Sequence, residues 1–154
     1  MNKSKSVSSS QVVMTQIVLP SNTNSLDTIF GGTVMSWIDI AAAIAAQRHS
    51  NKVVVTASID QLSFIAPIKK GWIVNLKASV NYASKTSMEV GVRVEAENAI
   101  TSELFHTASA YLTFVALDSN GKPSLVPTLV PETDIEKRRY AAGQKRRELR
   151  LGNR

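Results

Sequence analysis

No cysteine occurs in the chain, which excludes a disulfide framework, a thiolate zinc site and a cysteine nucleophile. Histidine is almost as scarce. His49 and His106 are the only two, too few for most metal clusters, so no metal site is expected. Long hydrophobic runs are missing as well. A membrane span needs roughly 18 consecutive apolar residues, and the longest candidate, from Ile29, is interrupted by Asp39. Residues 1–10, MNKSKSVSSS, are followed by no apolar segment or small-residue cleavage site. They read as part of a disordered polar tail, residues 1–11, rather than as a signal peptide, and a cytoplasmic address is expected. The sequence also has no G-x-S-x-G elbow, no P-loop, no G-x-G-x-x-G turn after a strand and no H-E-x-x-H. What remains is acid/base chemistry without a metal.

With 154 residues, the chain is long enough for one domain with a single core. Its net charge of +6 raises the question of nucleic acid. The distribution answers against it. Residues 132–154 hold eight basic and four acidic side chains, so four of the six net charges lie there. That segment has no aromatic residue except Tyr140, and the rest is near neutral; stacking on bases has little to work with.

Periodicity divides the body into one helix and five strands. Residues 12–19 read as a first strand, and Pro20 to Ser25 is a run of turn formers before the Gly31-Gly32 pair. A helix over 31–47 follows. On it Thr33, Ser36, Asp39, Ala43 and Gln47 share one narrow sector, and apolar residues cover the remainder, so most of the helix must be wrapped. Residues 53–59 and 62–66 are strand-like with a phase change at Asp60-Gln61, which predicts a bulge. Strict alternation over 72–82 and 87–97 predicts strands with one covered face, and 105–117 a last strand. Five antiparallel strands around one long helix is an α+β architecture. From Pro131 a charged helix is predicted, with Thr133 and Glu136 spaced as a capping box; its weak apolar stripe predicts a helix that lies loosely on the surface or frays.

Asp39 stands out within this pattern, because an ionised carboxylate surrounded by apolar side chains is costly unless something offsets it. Catalysis is one reason for keeping it there. A solvent-facing or backbone-bonded role is another.

The set NTNSLDTIFGG, SWIDIAAA, FIAPIKKG, KTSMEVGV and AYLTFVALD resembles the hotdog-fold acyl-CoA thioesterases, in the branch of the bacterial short-chain and mammalian cytosolic enzymes, over roughly residues 18–140. The resemblance implies a hotdog domain over residues 12–130, followed by a basic helix or tail over 131–154. It also implies hydrolysis of an acyl-CoA to a free acid and CoA at the interface of a homodimer, with a trimer of dimers as the higher assembly. CoA enters as part of the substrate and leaves as product, so no separate cofactor is implied. By this resemblance Asp39 is the catalytic carboxylate, as general base or nucleophile, and Asn24 comes from the opposite subunit to orient water or substrate. Free amides of Gly31 and Gly32 at a helix start suit the developing oxyanion. Lys85, Thr86 and Ser87 correspond to a segment near CoA, and Arg138 and Arg139, with Lys137, Lys145, Arg146 and Arg147, could meet its phosphates. His49 and His106 read as structural, His49 at a helix end where a cation suits the dipole. The family commonly has glycine at the position of Asp27, which puts the loop carrying Asn24, the substrate choice and the proton affinity of Asp39 in question.

The main rival is a hotdog module that binds acyl-CoA without hydrolysing it. A hotdog hydratase would pair its carboxylate with a histidine, and none lies between Asn24 and Asp39.

Overall fold

The structure is a computed structural model that describes residues 3–152; the remaining two residues of the expected tail, and two of the expected C-terminal helix, lie outside it. In chain order the elements are β1 (Ser4–Ser6), β2 (Val12–Ile17), α1 (Gly31–Ser50), β3 (Val53–Phe64), β4 (Ile73–Ala83), β5 (Ser87–Glu97), β6 (Leu104–Leu117), β7 (Thr128–Val130) and α2 (Asp134–Gly152). Five strands form an antiparallel sheet in the order β2-β4-β5-β6-β3. Alternation assigns its two faces. Val74, Leu76 and Val80 of β4, Val90 and Val94 of β5, and Ala110, Leu112 and Phe114 of β6 are buried on one face, where they pack with Val34, Ile38, Ala41, Ala42, Ala45 and Ala46 of α1. The sheet thus wraps a helix whose buried stripe is mostly alanine, and small side chains let the backbone of α1 lie close to the strands. The predicted phase change appears as a register shift between Ile59 and Gln61, with a further shift between Thr56 and Ser58.

The opposite face of the sheet carries α2. Its start is the predicted capping box: Glu136 N–H donates to Thr133 Oγ1 at 3.1 Å, and Glu136 Oε1 accepts from the N–H of Thr133 and of Glu132. What holds the helix down differs from the loose surface helix predicted. Arg146 makes two hydrogen bonds to Glu89, at 2.9 and 2.7 Å, and its guanidinium lies 3.7 Å from the centre of the Tyr111 ring. Arg150 bonds Asp60 at 2.8 Å, and Tyr140 meets Tyr82 edge-on. A Cβ at Gly143 would stand 3.0 Å from both Glu89 and Tyr82. The helix sits close because this position is glycine.

The first residues depart from the disordered tail expected for 1–11. Ser4–Ser6 pairs in parallel with Thr128–Val130, Val7 is buried, and the buried Ser10 hydroxyl accepts the Val80 N–H at 3.0 Å. Lys5 Nζ donates to Arg48 O at 2.9 Å and to the Asn51 side chain. The physical reason is that polar side chains can be consumed by unsatisfied groups at a helix end: the last carbonyls of α1 need donors, and Lys5 supplies one of them, to Arg48 O.

His49, at this same end, is fully buried, with Nε2 against Pro127 O at 2.8 Å and no partner for Nδ1 among the described residues. Burial lowers its pKa below the usual imidazole value, against the raising effect of the Pro127 carbonyl, so it does not serve as the dipole-compensating cation that its position suggested. A lowered folded-state pKa means that the unfolded chain binds the extra proton first as the pH drops. The contribution of this site is therefore complete above about pH 6.5, the ordinary imidazole value, and decreases as acidity rises beyond that. Urea unfolding from pH 7 to 5 is expected to lose midpoint progressively, and His49→Leu to flatten that slope; equal slopes in both proteins would contradict it.

Candidate active site

The loop leading into α1 is closed by one side chain. Asn24 Oδ1 accepts from Leu26 N–H at 2.9 Å, from Thr28 N–H at 3.3 Å and from Thr28 Oγ1 at 3.2 Å, while Asn24 N–H donates to Thr28 O. Its carbonyl oxygen is committed to the loop. The Nδ2 donor has no partner among the described residues. Asp27 has φ +58°, a left-handed conformation in which glycine is common and aspartate tolerated, so the backbone keeps the shape a glycine would give. The Asp27 carboxylate is exposed and lies 3.8 Å from Lys70.

Phe30 enters α1 in an extended conformation with no side-chain cap, and Thr33 and Val34 N–H both turn to Phe30 O. The first amides of a helix have no acceptor within it, and those of Gly31 and Gly32 find none elsewhere among the described residues. A Cβ added at Gly32 would meet nothing within 4 Å. Both glycines are exposed, and their two unpartnered N–H groups lie at the positive end of the helix dipole.

Asp39 lies eight residues further on, about 12 Å along the axis at 1.5 Å per residue. Its Oδ1 accepts a 2.7 Å hydrogen bond from Thr56 Oγ1 on β3. Thr56 was not singled out from the sequence, and nothing marks it there: a threonine in a strand is ordinary. The expected buried acid is half-buried. The reason lies in its surroundings, since β3 is an edge strand and the neighbouring side chains of α1, Met35 and Ile40, are exposed, Ile40 by 49%.

Ser87, Val115 and Val55 are successive partners across β5, β6 and β3. Ser87, the last residue of Lys85-Thr86-Ser87, therefore lies about 10 Å, two strand spacings, from the strand that carries Thr56. Ser87 Oγ is hydrogen-bonded to Ser84 Oγ at 2.6 Å. Lys85 is exposed, with no ion pair among the described residues.

The other expected cations lie elsewhere. Arg139 lines a cavity of about 420 Å³ with Lys77, Ser79, Gly91, Arg93 and Tyr111, on the sheet face opposite α1, so within the chain it does not share a surface with Asp39. Arg138 is exposed on the same helix, and Arg146 is consumed by Glu89. His106 bonds Ser109 Oγ at 2.6 Å. No cluster of metal-ligating side chains occurs among the described residues, and no helix there is long and apolar enough to cross a membrane.

Within one chain, then, the side chains fall into two groups: Asn24 with the Gly31 and Gly32 amides at the start of α1, and Asp39 with Thr56 near its middle. The family model of the thioesterase superfamily matches residues 26–103. An uncharacterized acyl-CoA thioester hydrolase of Bacillus subtilis, YkhA, is 48% identical over 82% of this chain and 74% of its own length. Among solved structures, the acyl-CoA hydrolase of Staphylococcus aureus, in complex with butyryl-CoA, CoA and CoA disulfide, is 43% identical with a TM-score of 0.91, covering 97% of this chain and 92% of its own. The S. aureus enzyme has also been solved with alanine in place of an aspartate, of a threonine and of an asparagine. An apo-hexameric acyl-CoA thioesterase is 43% identical with a TM-score of 0.95, covering 98% and 97% of the two chains. By fold and by sequence the chain belongs to the thioesterase superfamily, in its hotdog-fold branch of acyl-CoA thioester hydrolases.

Proposed function

We propose that this protein hydrolyses acyl-CoA thioesters at a site completed by a second copy of the chain, at least a homodimer and, like the hexameric relative, a candidate for a trimer of dimers. One observation carries the reading: a carboxylate held by Thr56 at the rim of an uncovered apolar surface, with the free amides suited to an oxyanion about 12 Å away along the same helix. Neither half is sufficient. A two-fold partner that covers Met35 and Ile40 brings the start of its own loop and helix toward Asp39 and at the same time removes that apolar surface from water.

In such a site Asp39 takes a proton from water, or attacks directly, and Thr56 donates to Oδ1 so that the other oxygen faces the substrate. The attacking oxygen bonds to the thioester carbon, and the carbonyl oxygen becomes negative against the Gly31 and Gly32 amides. The C–S bond breaks as the carbonyl re-forms, releasing CoA as thiolate, which takes up the proton that water gave to Asp39. Where Asp39 itself attacked, a water then hydrolyses the acyl anhydride to the free acid, regenerating the carboxylate and supplying that proton. Asn24 has only Nδ2 to offer, so its part is to donate to water or to the thioester oxygen. Lys85 is the exposed cation suited to a CoA phosphate, with Thr86 and Ser87 beside it; Arg138 and Arg139, across the sheet, could serve only a neighbouring copy.

Thiol release from a panel of acyl-CoAs tests the reaction, and absence of release with retained CoA binding would favour the non-catalytic module. Mixing Asn24→Ala and Asp39→Ala subunits tests the sharing. A mixed dimer contains one site with both residues intact, so activity should recover toward about half of the sites in mixed dimers. No recovery despite verified subunit exchange would mean that the site lies within one chain.

A further inference from the structure

We propose that Phe64 and the apolar cavity beside it form the subsite for the acyl chain, and that the substrates are unsubstituted acyl-CoAs whose chain is recognised up to about nine carbons, as scaled below from a cavity of known occupancy. This rests on the reading of Gly31 and Gly32 as the oxyanion donors. The cavity, of about 230 Å³, is walled by Ile29, Val34, Phe64, Ala66, Pro67 and Ile68, together with Ile65. It opens beside the start of α1, because the Phe64 ring lies 3.8 Å from where a Cβ on Gly31 would stand. A thioester whose oxygen meets the Gly31 and Gly32 amides therefore has one of its two arms next to Phe64, and the wholly apolar lining suits the acyl arm rather than the polar CoA arm. Phe64 is 52% exposed in the chain, an unusual place for a phenyl ring unless something covers it.

Chemistry and size narrow the occupant. No lining residue carries a charge, a hydroxyl or an amide, so an acyl chain ending in a carboxylate would enter without a partner, which is strongly unfavourable. An apolar cavity of about 150 Å³ is known to hold benzene, six carbons; scaling by volume gives about nine carbons here. Longer chains must leave part of their length outside and gain nothing from it. Ala66 is the smallest wall residue, where added bulk shortens the space most directly.

The test uses the intact protein and measures kcat/KM for saturated acyl-CoAs from two to sixteen carbons, with succinyl-CoA as the charged probe. The expected result is a rise in kcat/KM up to eight or nine carbons, a plateau or fall beyond, and succinyl-CoA at least about 100-fold below butyryl-CoA. Phe64→Ala is expected to move the optimum toward longer chains, changing the ratio of dodecanoyl to butyryl turnover by about tenfold or more, and Ala66→Ile to move it toward shorter ones. Size-exclusion profiles of both variants accompany the kinetics. An unchanged ratio in correctly assembled variants, or a change of assembly without a change of ratio, overturns the proposal and leaves the hydrolase reading standing. No turnover of any acyl-CoA by the unaltered protein sinks that reading, and this one with it.

Discussion

Replacing Asp39 by asparagine or alanine is expected to lower kcat/KM at least about 100-fold, a loss of about 2.7 kcal/mol or more in transition-state stabilisation. The fold should survive. Asp39 is half-buried and its one hydrogen bond in the chain, from Thr56, lies at the surface, so losing it frees a hydroxyl that water can satisfy. Thr56→Ala should act in the same direction with a smaller effect, about tenfold, because the carboxylate remains and only its orientation is loosened. Asp39→Asn is the sharper test, since it keeps the shape and removes the basicity. Turnover and assembly are measured on the same samples. Undiminished turnover in an intact assembly would remove Asp39 from the reaction.

The second large effect concerns stability, at the seat of α2. Glu89 is only 5% exposed and is bonded twice to Arg146, itself 20% exposed, and once to Asn81 at 3.2 Å. Its side-chain hydrogen bond holds Arg146 firmly in the charged form. Removing one member leaves the other charge poorly solvated, so Glu89→Ala should cost about 3 kcal/mol, the lower end for breaking a buried pair because Arg146 keeps some water. For a chain of this length that corresponds to about 6–12 °C in Tm. The double replacement Glu89→Leu with Arg146→Met should cost less than Glu89→Ala alone, because no charge is stranded. Thermal unfolding of these two variants beside the unaltered protein decides the matter: a double variant that melts at or below Glu89→Ala would show that no stranded charge lies behind the loss.

Much of this architecture is readable from residue patterns, and the exceptions share a cause. The alternation of Met88, Val90, Val92 and Val94 with polar neighbours locates β5 to the residue, because burial on one face of a sheet leaves a mark at period two. The phase change at Asp60 marks a bulge for the same reason. Glycine at positions 31 and 32 marks the start of α1. The strand at Ser4–Ser6 leaves no such mark: its serines and lysine are ordered by a partner 124 residues away and by carbonyls at a helix end, information that no local window contains. The docking of α2 is opaque in the same way. Arg146 is one of eight basic residues in its segment, and only the folded sheet selects which of them meets Glu89. In the candidate site the single residues Asp39, Gly31 and Gly32 stand out, whereas Thr56 and the roughly 12 Å separation along α1 do not, because both depend on how the edge strand lies against the helix.

The two ends of α1 are held by different means, and this decides which backbone groups remain free. At the rear end, Lys5 holds the Arg48 carbonyl, Arg48 reaches Gln11 O, His49 meets Pro127, and Lys52 ties in Ser124 and Leu125. At the front end no side chain caps the helix. Its leading turn is tied instead through backbone, Ile29 N–H to Ile68 O and Phe30 N–H to Asn22 O, which leaves the first amides of the helix unspent at the end where an incoming molecule would need donors.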